Sequence, residues 1–366
     1  MKSGYRPLGE LIELVDVRNT DGSVQNLIGV SINKCFIKSV ANTIGTDLST
    51  YKVIERDDFA VSLMQVSRDE KIPVACQKEY DKAIMSPAYP IFRVKNREEV
   101  LPDYLDLWFK RSEFDREAAF IAVGGVRGSM PWEDFCRMQV RVPDLEEQKK
   151  IVHAYKVIED RINLKKRINE NLELVAQTYL QKEIAANGVD TTVDALIELF
   201  DRMRKPLSSI VRSNMVRLYP YYGAAGLVDY VDNYIYDGIY GLIGEDGTVI
   251  DDYGHPIMQY VWGKFWVNNH AHIFKGKGVY STEMAYLILK NIIIKDAVTG
   301  GVQLKINQEN LKNLPVRVPY TDVIYNLNTN FDRIFKNIRD NCDEINQLNE
   351  LMGVILSKLS EQCQYP

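Results

Sequence analysis

Few residues in this 366-residue chain have the types and spacing that chemistry needs. "HAH" places His270 and His272 two apart, so on a strand both imidazoles point to one face. A zinc site takes three or four ligands, and the only other histidines are His153 and His255. We read the pair as structural or surface residues and expect no metal. "PDLEEQKK" (Pro143–Lys150) has the outline of a nuclease Pro-Asp…Glu-x-Lys pattern. Its acids stand too close together, at a helix start where the helix dipole favours them, and the corresponding "PYTDVIYN" later in the chain lacks them. "LYPYYG" has the outline of the Asp/Asn-Pro-Pro-Tyr/Phe motif of amino-methyltransferases, without its first residue or its double proline. There is no Gly-x-x-x-x-Gly-Lys-Ser/Thr phosphate loop and no Gly-x-Ser-x-Gly elbow. Nothing here calls for an active site in this chain.

The surrounding composition is that of an ordinary globular protein of two to three domains, with 46% hydrophobic and 26% charged residues. The net charge of −5 and pI near 5.6 argue against a coat of basic charge, but a local basic cleft is enough to bind nucleic acid. Five scattered cysteines without a CxxC argue against a disulfide framework and fit a reducing cytosol. The start "MKSGYRPLGELIELVDVRNT" lacks a signal-peptide core. Apolar runs such as "AYLILKNIIIK" are too short and too interrupted to span a bilayer. A cytoplasmic, non-membrane protein is expected.

The chain repeats itself. "GGVRGSMPWEDFCRMQVRVP" (Gly124–Pro143) and "GGVQLKINQENLKNLPVRVP" (Gly300–Pro319) align without a gap, at an offset of 316 − 140 = 176. Such an offset means a duplication of half the chain. Upstream, "YLDLWFK" (Tyr104–Lys110) resembles "MAYLILK" (Met284–Lys290), each an apolar helical run shortly before the Gly-Gly, and "RPLGELI" (Arg6–Ile12) resembles "KPLSSIV" (Lys205–Val211), each read as opening its half. Downstream, a ladder of alternating four- and three-residue steps runs Ile151, Tyr155, Ile158, Ile162, Lys165, Asn169, Leu172, Ala176, Tyr179. The same offset gives Leu327, Phe331, Ile334, Ile338, Asn341, Ile345, Leu348, Met352, Ile355. This spacing keeps one stripe facing a partner helix, so the two helices are expected to pair. The polar rungs Lys165, Asn169 and Asn341 then fix register. Each ladder is roughly 45 Å long.

The expected organisation is α+β. Two mixed α/β blocks, residues 1–144 and 189–320, alternate with two long antiparallel coiled-coil helices, 145–188 and 321–366, in a pseudo-two-fold duplication. "NLIGVSINKCFI", "PIFRVK", "FWVNNHAHIFK" and "VRVPY" have strand content. "LYPYYGAAGLVDYVDNYIYDGIYGLIGEDG" reads as tight turns between short strands. The linker "AANGVDTTVD" (Ala185–Asp194) carries a Gly where a helix should stop.

This organisation resembles the specificity (S) subunit of type I restriction-modification enzymes, over essentially the whole length. "YYGAAGLVDYVDNYIYDGIYGLIGEDG", "KFWVNNHAHIFK", "TGGVQLKINQENLKNLPVRVP" and "QVRVPDLEEQKKIV" carry the likeness. Pro143, Glu147 and Gln148 match that family's Pro-x-x-x-Glu-Gln helix start; "PYTDVIYN" departs from it, which puts a partner contact there in doubt. The resemblance implies two target-recognition domains, each reading half of a split double-stranded DNA sequence. It implies two methyltransferase (M) subunits that methylate adenine with S-adenosylmethionine, and motor-nuclease (R) subunits able to join for cleavage. It implies a chain with no cofactor and no catalysis of its own. Base reading falls to Arg, Lys, Asn and Gln at the groove edges. The candidates are Arg127, Arg68 and Lys71 in the first block, and Gln303, Lys305, Tyr221 and Tyr222 in the second. The alternative is a non-enzymatic coiled-coil adaptor for another macromolecule. The long apolar stripes also let us expect that the isolated chain can self-associate.

Overall fold

The computed structural model describes residues 4–39, 45–123, 125, 128–301 and 303–359. They form two compact units: Met1–Asn163 with Ile345–Pro366, and Leu164–Glu344. Each holds one globular block and a stretch of both long helices.

In the first unit, β-branched and aromatic runs form an antiparallel four-stranded sheet. Its order is Ile12–Val15, Ile91–Val94, Phe59–Val61, Val74–Cys76. Phe59 stacks on Phe92 at 5.2 Å, and Phe109, Phe114 and Phe135 complete a fully buried aromatic core. Burying each such ring stabilises the fold by roughly 1.5–3 kcal/mol. The "NLIGVSINKCFI" stretch forms a hairpin, Ile28–Val30 against Phe36–Lys38.

In the second unit the order is Ile197–Leu199, Ala271–Gly276, Tyr240–Gly244, Met258–Val261. It is the same sheet. The helices Pro102–Phe109 and Thr282–Lys290 follow the corresponding strands. Both Val-Arg-Val-Pro segments are strands: Gln139–Arg141 pairs with Tyr5–Pro7, and Pro315–Val318 pairs with Val189–Thr192, all antiparallel. The duplication in the sequence is thus a duplication of topology. The Tyr-rich stretch adds a second four-stranded sheet, in the order Leu227–Val231, Tyr219–Tyr222, Lys264–Val267, Tyr236–Asp237.

The structure corrects where the second half opens. "KPLSSIV" lies in a loop and a short helix, Ser209–Ser213. The counterpart of the first strand is instead Ile197–Leu199. Leu11-Ile12-Glu13-Leu14 and Leu196-Ile197-Glu198-Leu199 are the same tetrapeptide, each pairing the same way: Leu14 opposite Phe92, Leu199 opposite Phe274. Part of the Ala185–Asp194 linker is accordingly strand, not loop.

The first long helix runs Leu145–Asn187 and the second Thr321–Lys358. At the start of the first, the Asp144 carboxylate accepts from the Glu147 amide at 2.8 Å. Gly188 follows its end, and a Cβ there would overlap the Ile184 carbonyl. The two helices pack together antiparallel. In the first unit, Ile151, Val152 and Tyr155 share a core with Met352, Ile355 and Leu359. In the second, Ala176 and Leu180 share one with Leu327 and Phe331. Every rung of both ladders is buried or half-buried except Tyr179. Tyr179 is 39% exposed and Leu180 is the buried residue, because the last step is four and not three. The polar rungs bond to one another. Lys165 donates to Asn341 at 2.9 Å and pairs with Glu344 at 2.6 Å, and Asn341 donates to Asn169 at 2.8 Å. Lys165 and Asn341 are 176 residues apart, so the helices meet at equivalent positions of the repeat.

An amide joins each helix to its block. Gln148 is fully buried; it accepts from the Leu101 amide at 2.9 Å and donates to the Glu99 and Pro143 carbonyls. Asn328 makes the same bonds to Ser281 and Val279. The offset is 281 − 101 = 328 − 148 = 180. The amide that "PYTDVIYN" lacks is therefore supplied by Asn328, one helical turn further on, with no counterpart of Glu147 beside it in that stretch. Glu147 pairs with Arg141 at 2.8 Å. In this fold Gln148 holds the chain's own backbone, so it is not available to a partner.

Candidate nucleic-acid interface

Both Gly-Gly loops are tied to their sheets alike. The Met130 amide donates to Leu63 and the Ile306 amide to Glu245, each at 2.9 Å. Met130 and Ile306 are again 176 apart. Leu63 and Glu245 lie just past equivalent central strands, Phe59–Val61 and Tyr240–Gly244.

In the first block, Gly124, Val126 and Arg127 lie outside the described residues. Gly128 has φ +71°, and a Cβ on it would strike Ser67 and come within 3.5 Å of the Arg68 amide. The loop and the "QVSRDEK" segment, far apart in sequence, are thus neighbours. That segment forms one helical turn, Val66–Asp69, between Gln65 and Glu70, both with positive φ. Arg68 is exposed, bonded to Asp69 at 2.8 Å and to Gln65. Lys71 is exposed.

In the second block, Thr299 and Lys305 close the loop with reciprocal backbone bonds of 2.8 and 2.7 Å. Gly300 sits at φ +101°, where a Cβ would overlap the Gln303 carbonyl oxygen; Gly301 has open space around it. Gln303 and Lys305 are exposed. Leu304–Lys305 pairs with Asp246–Gly247, and the Lys305 ammonium stands 3.5 Å from Glu245. The structure brings Gln303 and Lys305 together on one exposed turn. It does not bring Tyr221 to them. Tyr221 is 1% exposed: its hydroxyl accepts from the Leu207 amide at 3.0 Å, and the Arg212 guanidinium covers its ring. Its side chain cannot reach a base edge. Tyr222 is half-buried against Phe265, and burial raises its hydroxyl above the usual range.

The two histidines part company. His270 precedes the strand and is exposed, bonded to Asp246. His272 is fully buried; Nδ1 lies 2.6 Å from Asp201 and Nε2 2.9 Å from the Ile306 carbonyl oxygen. Asp201, Glu245 and His272 lie close enough to hold a cation. Their valences are already met: Glu245 faces Arg204 and Lys305, and Asp201 also accepts from the Ile273 amide and Gln308. Burial pushes the Asp201 carboxyl up, but His272, the Ile273 amide and Arg204 outweigh it and hold it below the usual carboxylate range. A cluster so compensated is a polar core brace. The spacing of "HAH" did not disclose it, because Asp201 and Glu245 arrive from other elements.

Comparison with known proteins gives this geometry a context. Residues 191–348 match the family model of the type I restriction modification DNA specificity domain. A putative type I restriction enzyme specificity subunit of Haemophilus influenzae is 32% identical over 146 residues, which span 39% of this chain and 36% of that protein. The crystal structure of a type I restriction-modification S subunit from M. genitalium aligns with a TM-score of 0.54 at 12% identity, covering 98% of this chain and 96% of that one. That alignment shows a shared fold. Among the described residues no helix is long and apolar enough to cross a membrane. The second half of the chain thus matches the DNA specificity domain of type I restriction-modification systems, on a fold shared with an S subunit, and the chain covers 36% of the length of the curated relative it matches.

Proposed function

We propose that this chain recognises a bipartite double-stranded DNA target, each block reading one half, and tethers two methyltransferase subunits, with restriction subunits able to join for cleavage. One observation carries the reading: two blocks of identical sheet order and unlike surface residues are mounted on a shared helix pair whose rungs match. A frame that repeats while its exposed loops differ suits a split, asymmetric site. Arg127, Arg68, Lys71, Gln303 and Lys305 are the proposed DNA contacts. Glycine allows backbone to approach phosphate closely, and Arg, Lys and Gln read or position on DNA. S-adenosylmethionine binds the methyltransferase subunits in this reading, and the present chain supplies recognition and assembly in the cytoplasm.

The test is genome-wide mapping of adenine methylation in cells expressing this chain with its neighbouring methyltransferase subunit. A two-part motif with a fixed gap is expected. Exchange of residues 1–144 for another block should change one half of the motif alone. No methylated motif, or a change in both halves, refutes the proposal.

A further inference from the structure

We infer that His272 and Asp201 are positioning residues that hold the Gly300–Lys305 loop in its reading geometry; this rests on the proposed DNA-contacting role of that loop. Both ring nitrogens of His272 face oxygen acceptors: the Asp201 carboxylate at 2.6 Å and the Ile306 carbonyl at 2.9 Å. The ring is thus held from both sides. Ile306 is the first residue past Lys305, so the imidazole pins the loop's exit to the sheet. Gln308, two residues on, donates to the same Asp201 oxygen at 2.6 Å. Asp201 is itself fixed by the Ile273 amide at 2.8 Å, within the strand that carries His272. Glu245 takes the Ile306 amide on its carbonyl and Lys305 on its carboxylate. The exposed turn with Gln303 and Lys305 thus rests on a buried ionic brace, whose charges Arg204 completes.

Among the described residues of the first block, no histidine takes the corresponding place. Leu14 pairs with Phe92 and Leu199 with Phe274, so the residues two before each partner are Pro90, just ahead of its strand, and His272. Proline has no side-chain donor. The brace belongs to one recognition block, and its loss should be felt in one half-site.

The test uses the full chain co-purified with its methyltransferase subunit, and DNA duplexes carrying the motif to which the wild-type complex directs methylation, intact or altered in either half. His272→Asn keeps a donor for Asp201 but does not reach Ile306; His272→Gln extends its amide toward Ile306. Gln308→Ala removes an exposed side chain's bond to Asp201 and leaves the core filled. His272→Asn is expected to lose about tenfold or more in discrimination at the second half-site. His272→Gln should lose less, Gln308→Ala should show a smaller loss at an unchanged melting temperature, and first-half discrimination should be intact in all three. If His272→Asn does not fold, Gln308→Ala still decides. Unchanged discrimination in Gln308→Ala and in any folded His272→Asn protein, or equal losses in both halves, overturns the inference alone. A wild-type complex that methylates no motif overturns the DNA reading, and this inference with it.

Discussion

Gly300 and Gly301 are adjacent and chemically identical, yet the structure assigns them opposite tolerance. At Gly300 the backbone has φ +101° and an added Cβ would overlap the Gln303 carbonyl oxygen. An L-residue there costs about 1–3 kcal/mol in backbone strain alone. The clash is with backbone inside the same short turn, so the turn must open to relieve it, and opening breaks the Thr299–Lys305 pairing. At Gly301, φ is ordinary and a Cβ meets nothing within 4 Å, so alanine should change stability by no more than about 0.5 kcal/mol. If the turn presents Gln303 and Lys305 to DNA, Gly300→Ala forfeits contacts worth about 1–3 kcal/mol. By the rule of 1.4 kcal/mol per decade, affinity falls about 5- to 150-fold. The assay is a binding titration of wild-type, Gly300→Ala and Gly301→Ala complexes on duplexes altered in either half of the mapped motif, with thermal unfolding alongside. Gly300→Ala should lose second-half discrimination, and Gly301→Ala should match wild type. Equal damage from both, or none from Gly300→Ala, would show that the conformation of this turn does not govern recognition.

Three further outcomes are expected. Gln148→Ala leaves the Leu101 amide and two carbonyls without their partner in a buried place, so urea unfolding should show a loss of about 3 kcal/mol. The loss should be smaller for Asn328→Ala, whose surroundings are partly exposed. Tyr221→Phe removes only the hydroxyl that accepts from Leu207; it should cost about 1–2 kcal/mol by thermal unfolding and leave DNA affinity unchanged, and weakened binding at equal stability would contradict its assignment to the core. The folded state holds the Asp201 carboxyl below its ordinary value, so its stabilisation is present above about pH 4 and lost as pH falls through the depressed value. Asp201→Asn should therefore lower the urea midpoint at neutral pH and flatten its decline on acidification, whereas parallel acid profiles would sink this account.

How much of this could be read in the chain depends on the range of the interaction. The helix ladders were legible because a 4-3 rhythm is local: each rung needs only its neighbours in sequence to declare a face. The departure at Tyr179 is a change of one residue in that rhythm, and a stripe continued by rule passes over it. The sheet repeat was legible only in part. The tetrapeptide at Leu11–Leu14 and Leu196–Leu199 marks the equivalent strands, but its offset is 196 − 11 = 185, not 176. A single fixed offset hides it, because insertions between the matched elements differ. The same slippage made Asn328 look absent, although it repeats the bonds of Gln148 at an offset of 180. The polar brace was beyond reach for a different reason. The sequence leaves His272 either structural or surface, and its partners come from Asp201, 71 residues away in sequence, and from the carbonyl of Ile306. Residue type marks a group that must be satisfied, but only topology says by whom. Here topology decides between the structural and the surface reading of the two histidines: His272 bonds inward to Asp201 and to the residue that follows the Gly300–Lys305 turn, and His270 stays exposed against Asp246.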